Sequence, residues 1–118
     1  AALEALNGPQ NCVSEMNNHF KRRANLMFNG LNEIKGFSCQ KPNGAFYCFP
    51  NITGTGKNST EIQNILLDNL GVATVAGTSF GEYGEGYIRL SCANSESAIE
   101  EAIARINEFF NWRFMLNF

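Results

Sequence analysis

Apolar residues fall at helical spacing through residues 11–34, where Met16, Phe20, Ala24, Met27 and Leu31 form one stripe that Val13 and Ile34 extend. Gly36 follows as a stop. Ahead of this stretch, Ala1-Ala2-Leu3-Glu4-Ala5-Leu6 are strong helix formers that halt at Asn7-Gly8-Pro9. A helix beginning at the first residue, with no initiator Met, predicts a chain cut from something longer. Residues 37–41 and 45–49 read as two strands joined by Pro42-Asn43-Gly44, since Asn-Gly between β-rich runs is a hairpin signal. A polar loop covers 50–59. Thr60-Glu61-Ile62-Gln63 has capping-box spacing and opens a helix over 60–69, with Ile62, Ile65, Leu66 and Leu70 on its buried face.

Residues 72–75 form a short strand, 76–86 a loop, and 87–91 another strand. There the alternation sends Ile88 and Leu90 to one face and Tyr87, Arg89 and Ser91 to the other. Asn94 or Ser95 caps a last helix that carries Ile99, Ile103, Ile106 and Phe110 on one stripe. The order predicts a two-layer α/β (α+β) fold: a small, mostly antiparallel or mixed sheet of about four strands covered by helices. No internal repeat is evident.

The 118 residues fit one domain with a modest core, and 44% hydrophobic and 17% charged residues are ordinary for a globular chain. A net charge of -2 argues against a nucleic-acid binder and against anchoring on an anionic membrane. No apolar run is long enough to span a bilayer, so a cytoplasmic protein is expected. Cys12, Cys39, Cys48 and Cys92 lack the spacing of a metal or redox motif, and reduced, structural thiols are expected. Asn51-Ile52-Thr53 and Asn58-Ser59-Thr60 match the glycosylation pattern, but such short matches arise readily by chance.

Several local motifs invite chemistry. Gly54-Thr55-Gly56-Lys57 lacks the glycine and hydroxyl positions of a phosphate loop and reads as a mobile surface loop. Lys21-Arg22-Arg23 reads as a solvated helix face, His19 as structural or surface, and neither Glu82 nor Glu85 is identified as a general acid. Gly77, Gly81, Gly84 and Gly86 crowd one loop; they suit either a flexible connection or a loop passing close to a ligand. Arg89, mid-strand among apolar neighbours, can snorkel to water, pair with an acid, or present its fork to a carboxylate ligand. On the residues alone the structural options lead.

Together these motifs resemble a family. Asn43-Gly44-Ala45-Phe46-Tyr47, Gly71-Val72-Ala73 up to Gly77, Ser79-Phe80-Gly81 and Gly86-Tyr87-Ile88-Arg89-Leu90-Ser91 stand in the order and spacing of class I/II aminotransferases. Ala2-Leu3-Glu4-Ala5-Leu6, Gly8-Pro9-Gln10, Arg22-Arg23 and Leu31-Asn32 agree. The similarity covers residues 1–108, is greatest to the bacterial-type aspartate branch, and points to the C-terminal small domain.

The resemblance implies that residues 1–8 end a helix of a missing large domain, 9–108 form the small domain, and 109–118 are an aromatic tail. It also implies that Arg89 binds the substrate α-carboxylate, that Phe46 lies beside the substrate, and that the loop with Gly77, Phe80 and Gly81 borders the active-site entrance. The implied cofactor is pyridoxal phosphate, held mainly by the large domain. The chain itself then carries no catalytic, cofactor-binding or metal-binding residue, and Lys21, Lys35, Lys41 and Lys57 do not match the cofactor lysine. The implied substrates are an amino acid, with aspartate leading, and a 2-oxo acid; the whole enzyme would be a homodimer, and the fragment alone inactive.

Two features depart from the pattern. Ala76 stands where relatives usually have Pro, and the tail Phe109-Phe110-Asn111-Trp112-Arg113-Phe114-Met115-Leu116-Asn117-Phe118 is unusually aromatic. The tail suits packing on the last helix, self-association, or an altered terminus. The alternative function is a free-standing, non-catalytic domain acting as a protein-interaction or carboxylate-binding module.

Overall fold

A computed structural model describes residues 1–116, with side chains to Trp112. Helix α1 spans Ala2–Asn7 and α2 spans Asn11–Glu33. They are linked at the turn by the Gln10 side-chain amide, which donates to the carbonyls of Ala5 and Gly8. Strand β1 is Tyr47–Cys48, α3 is Ser59–Leu70, β2 is Val75–Ala76, β3 is Ile88–Ser91, and α4 is Glu96–Leu116. The sheet order is β1-β3-β2, antiparallel throughout, with Tyr47 opposite Ser91 and Val75 opposite Arg89. A bridge from Ser38 to Asn51, and from Asn51 to Tyr87, prolongs the sheet by single pairs. This is the expected helix-covered sheet, with three strands among the described residues.

The core lies between the sheet and the helices. Met27, Leu31 and Ile34 from α2 and its end, Ile62 and Leu66 from α3, Ile88 and Leu90 from β3, and Ile99, Ile106 and Phe110 from α4 are buried together. Cys39, Cys48 and Cys92 join them as free thiols. A hydrogen bond with Cys39, reinforced by burial, holds the Cys48 thiol far above its ordinary range, so it packs as a neutral group. Helices α2 and α4 pack closely at Gly30, where a Cβ would come 2.6 Å from Ile103 Cγ2.

Several expectations need correction. The predicted hairpin does not form: residue 38 alone of 37–41 pairs, and it pairs with Asn51. The Asn32 side chain takes both backbone groups of Cys39, accepting its N–H at 2.9 Å and donating to its carbonyl at 3.0 Å. A strand partner has nothing left to bond there. Helix α3 starts earlier than the Thr60 spacing suggests, because the capping box is Asn58 with Glu61, each side chain bonding the other's backbone N–H at 2.9 Å. Gln63 instead accepts from Ala76 N–H at 2.7 Å.

The strand expected over 72–75 is confined to Val75–Ala76. Val13 and Met16 on the α2 stripe are 58% and 55% exposed, so only the second half of that helix faces the core. Of the basic run, Lys21 and Arg22 are exposed, but Arg23 is half-buried over the Phe20 ring. The tail continues α4 to Leu116: Phe110 packs edge-on against Phe37, whereas Trp112 is exposed. Residues 117–118 of the expected tail, and the side chains from residue 113 on, lie outside the described residues.

Candidate functional site

The outward positions of the sheet are Tyr47, Val75, Arg89 and Ser91, which the register brings side by side while Cys48, Ala76, Ile88 and Leu90 point into the core. The strand alternation predicted for Arg89 therefore holds. Its guanidinium carbon lies 4.3 Å from the Tyr47 ring centroid and 4.6 Å from that of Phe80. Phe49 lies edge-on to Phe80, with centroids 6.2 Å apart, and stacks on Tyr87 at 5.3 Å with an interplanar angle of 6°. Arg89 has no acidic partner among the described residues, unlike Arg22, which pairs with Glu96, and Arg105, which pairs with Glu101. A half-buried guanidinium whose neighbours are rings keeps its N–H donors available to a ligand.

Phe46 is next to this group and not within it. Its ring sits 4.4 Å from Tyr47 and 5.8 Å from Phe20 of α2, and it is 39% exposed. Phe80 ends a 3₁₀ turn over Gly77–Phe80, and a second turn covers Glu82–Gly84. The glycines between them are structural. Gly77 and Gly84 cross so closely that a Cβ on either would collide with the other's carbonyl oxygen, and Gly81 sits at φ 129°, where a side chain is strained.

The loop is also latched at its far end. Glu85 Oε1 accepts from Ser59 N–H at 2.9 Å, Ser59 Oγ at 3.0 Å and Gly86 N–H at 2.8 Å. The Ser59 N–H bond leads, followed by the Gly86 N–H and the Ser59 hydroxyl, in holding the Glu85 carboxyl below its usual range. Ser59, fully buried at the start of α3, also accepts from Gly86 N–H at 2.9 Å.

Of the residues the sequence singled out, Arg89 and Phe80 come together. Phe46 reaches them only through Tyr47, and Gly77 and Gly81 shape the loop. Sequence reasoning missed Tyr47 as a neighbour of Arg89, although the alternation of β1 carried a signal for it. It also missed Glu85, whose partner Ser59 is distant in the chain. His19 sits on the surface beside Arg22, its Nδ1 2.8 Å from the Arg22 Nη2. The 54–57 loop, expected to be mobile, is instead pinned: a Cβ on Gly54 would come 2.8 Å from Gly36 Cα.

This geometry has relatives. The model of the family "Aminotransferase class I and II" matches residues 1–106. The aspartate aminotransferase of Rhizobium meliloti is 41% identical over 117 residues, covering 91% of this chain and 28% of that protein. Among solved structures, the alanine aminotransferase of Pyrococcus furiosus superposes with a TM-score of 0.89 at 38% identity, over 93% of this chain and 28% of that one. The aromatic aminotransferase of Pyrococcus horikoshii does so with 0.84 at 40% identity, over 87% and 27%. The chain belongs to the class I and II aminotransferase family, whose members generally depend on pyridoxal phosphate. It spans about 28% of the length of the curated relatives it matches.

The outward face of the sheet does not form a seat for that cofactor. Tyr47, Val75, Arg89 and Ser91, the outward positions of the sheet, include no lysine to carry it and no carboxylate for its ring nitrogen. Among the described residues no group of His, Cys, Asp and Glu could hold a metal, and no helix is long and apolar enough to cross a membrane.

Proposed function

We propose that this chain is the C-terminal small domain of a pyridoxal-phosphate aminotransferase of the aspartate type. In this reading residues 1–8 end a helix of the large domain, 9–108 form the small domain, and 109–118 are an aromatic tail. The observation that carries it is Arg89, a half-buried guanidinium facing outward from mid-strand with no acid against it. A planar fork in that setting suits the α-carboxylate of an amino acid, which accepts two parallel charge-assisted bonds. The names of the relatives, aspartate, alanine and aromatic aminotransferases, support amino transfer as the reaction. Aspartate with 2-oxoglutarate is the pair we assign.

Pyridoxal phosphate, held by the large domain, would supply the electron-withdrawing chemistry of the reaction. The part of this chain is to bind and orient. Arg89 fixes the α-carboxylate and thereby directs the Cα–H bond for proton removal. Phe46 flanks the substrate, and the loop carrying Gly77, Phe80 and Gly81 borders the entrance, so that closure of this domain excludes water. The exposed Leu3, Leu6, Val13 and Met16 support a docking face for the large domain along α1 and the first half of α2. A cytoplasmic homodimer completes the reading.

The test gives the whole protein nitrogen-labelled aspartate with 2-oxoglutarate. Label is expected in glutamate, faster than from alanine or phenylalanine. No transfer from any of the three would overturn the aminotransferase reading. Faster transfer from alanine or phenylalanine would overturn the aspartate assignment alone.

A further inference from the structure

We infer that Tyr47 and Phe80 are positioning residues for Arg89: two rings that bracket the guanidinium and hold its fork ready for a carboxylate. The inference rests on the carboxylate-clamp reading of Arg89 and assigns residues to it beyond the arginine. Three observations carry it. The first is distance: the guanidinium carbon is within 4.3 Å of one ring centroid and 4.6 Å of the other. Rings attract a cation through their faces, and Arg offers its own flat face to them. Its N–H donors lie in the guanidinium plane, so stacking leaves them open at the edge. A bracket of this kind orients the fork without using it.

The second observation is that burial does not account for Phe80. It is 52% exposed, and its ring neighbours are Phe49 and Arg89. A large apolar side chain kept this far in solvent gains little from the hydrophobic effect. The contact with the guanidinium gives it a reason to be there, and Phe49, itself stacked on Tyr87, meets it edge-on.

The third is that Phe80 stands on a pinned turn. Gly77 N–H donates to Tyr87 C=O at 2.8 Å, Gly77 crosses Gly84 closely, and Glu85 is latched to Ser59. The turn is anchored on both sides of Phe80, so the ring is held over Arg89 before any ligand arrives. Such preorganisation removes part of the ordering cost of binding. Rings on the guanidinium faces also keep water from the ion pair that a carboxylate would make.

The experiment is titration of the whole enzyme with maleate, a dicarboxylate with no amino group to transfer, alongside steady-state kinetics. Phe80→Leu keeps apolar bulk and removes the π face. It is expected to weaken maleate binding about tenfold and raise KM for the amino acid by a similar factor. Maleate carries no reacting bond, so its affinity reads the clamp apart from any change in kcat. Phe80→Trp should restore both.

Tyr47→Leu gives the same readout on the opposite ring, should Phe80→Leu fail to fold. Unchanged maleate affinity in the folded ring variants would overturn the bracket. Arg89→Leu separates the two ideas. Affinity lost in Arg89→Leu but kept in the ring variants sinks the bracket alone; affinity kept in Arg89→Leu sinks the clamp on which it rests.

Discussion

At the scale of single residues, the most consequential group outside the Arg89 cluster is Glu85. Its carboxylate gathers three hydrogen bonds at the first turn of α3, where the helix dipole also favours negative charge. Because the folded protein holds this carboxyl below its ordinary value of 4.5, ionised Glu85 favours the folded state. That contribution is present in full above the unfolded value and is lost as pH falls through the lower folded one. Glu85→Gln should therefore lower the thermal midpoint near neutral pH and leave the variant and the parent converging in acid. Melting curves of the 118-residue chain from about pH 7 to about pH 3 check this; a constant offset across that range would contradict it. Nothing in the sequence flagged Glu85, because a carboxylate in a glycine-rich loop has no periodicity, and its partner Ser59 is set by the tertiary fold.

At the scale of elements, the helices were legible and the strand pairings were not. The stripes of α2, α3 and α4 follow a 3.6-residue period that survives packing, apart from the exposed first half of α2. The hairpin failed because a side chain, Asn32, occupies the Cys39 backbone groups that a strand would need. The start of α3 was misplaced because two overlapping boxes share one spacing, and Gln63 is committed to Ala76.

The packing of α2 on α4 was also not legible, since a glycine inside a helix reads as a weakness. Gly30 is instead a point of close contact. Gly30→Val should cost about 1–3 kcal/mol, because the added branch meets Ile103 and forces the helices apart. Denaturant unfolding measures this, and a variant as stable as the parent would refute the close approach.

At the scale of the whole molecule, the chain is longer than its size requires. Its radius of gyration is 16.4 Å and its longest extent 61 Å, whereas a compact domain of this length has a radius near ~13.5 Å. The excess fits α1 and the first half of α2, which project with Leu3, Leu6, Val13 and Met16 in the open. The sheet, by contrast, is closed on its core face and open on the face that carries Arg89. Alternation placed Arg89 on that face; the approach of Phe80, on a loop with no periodicity, is set by the fold.

We propose that this open face ends in a carboxylate clamp. The most direct measurement is kcat/KM for aspartate in the whole enzyme carrying Arg89→Leu, with cofactor absorbance recorded beside it. A loss of about a hundredfold or more is expected, with the cofactor spectrum retained. An unchanged kcat/KM would contradict it.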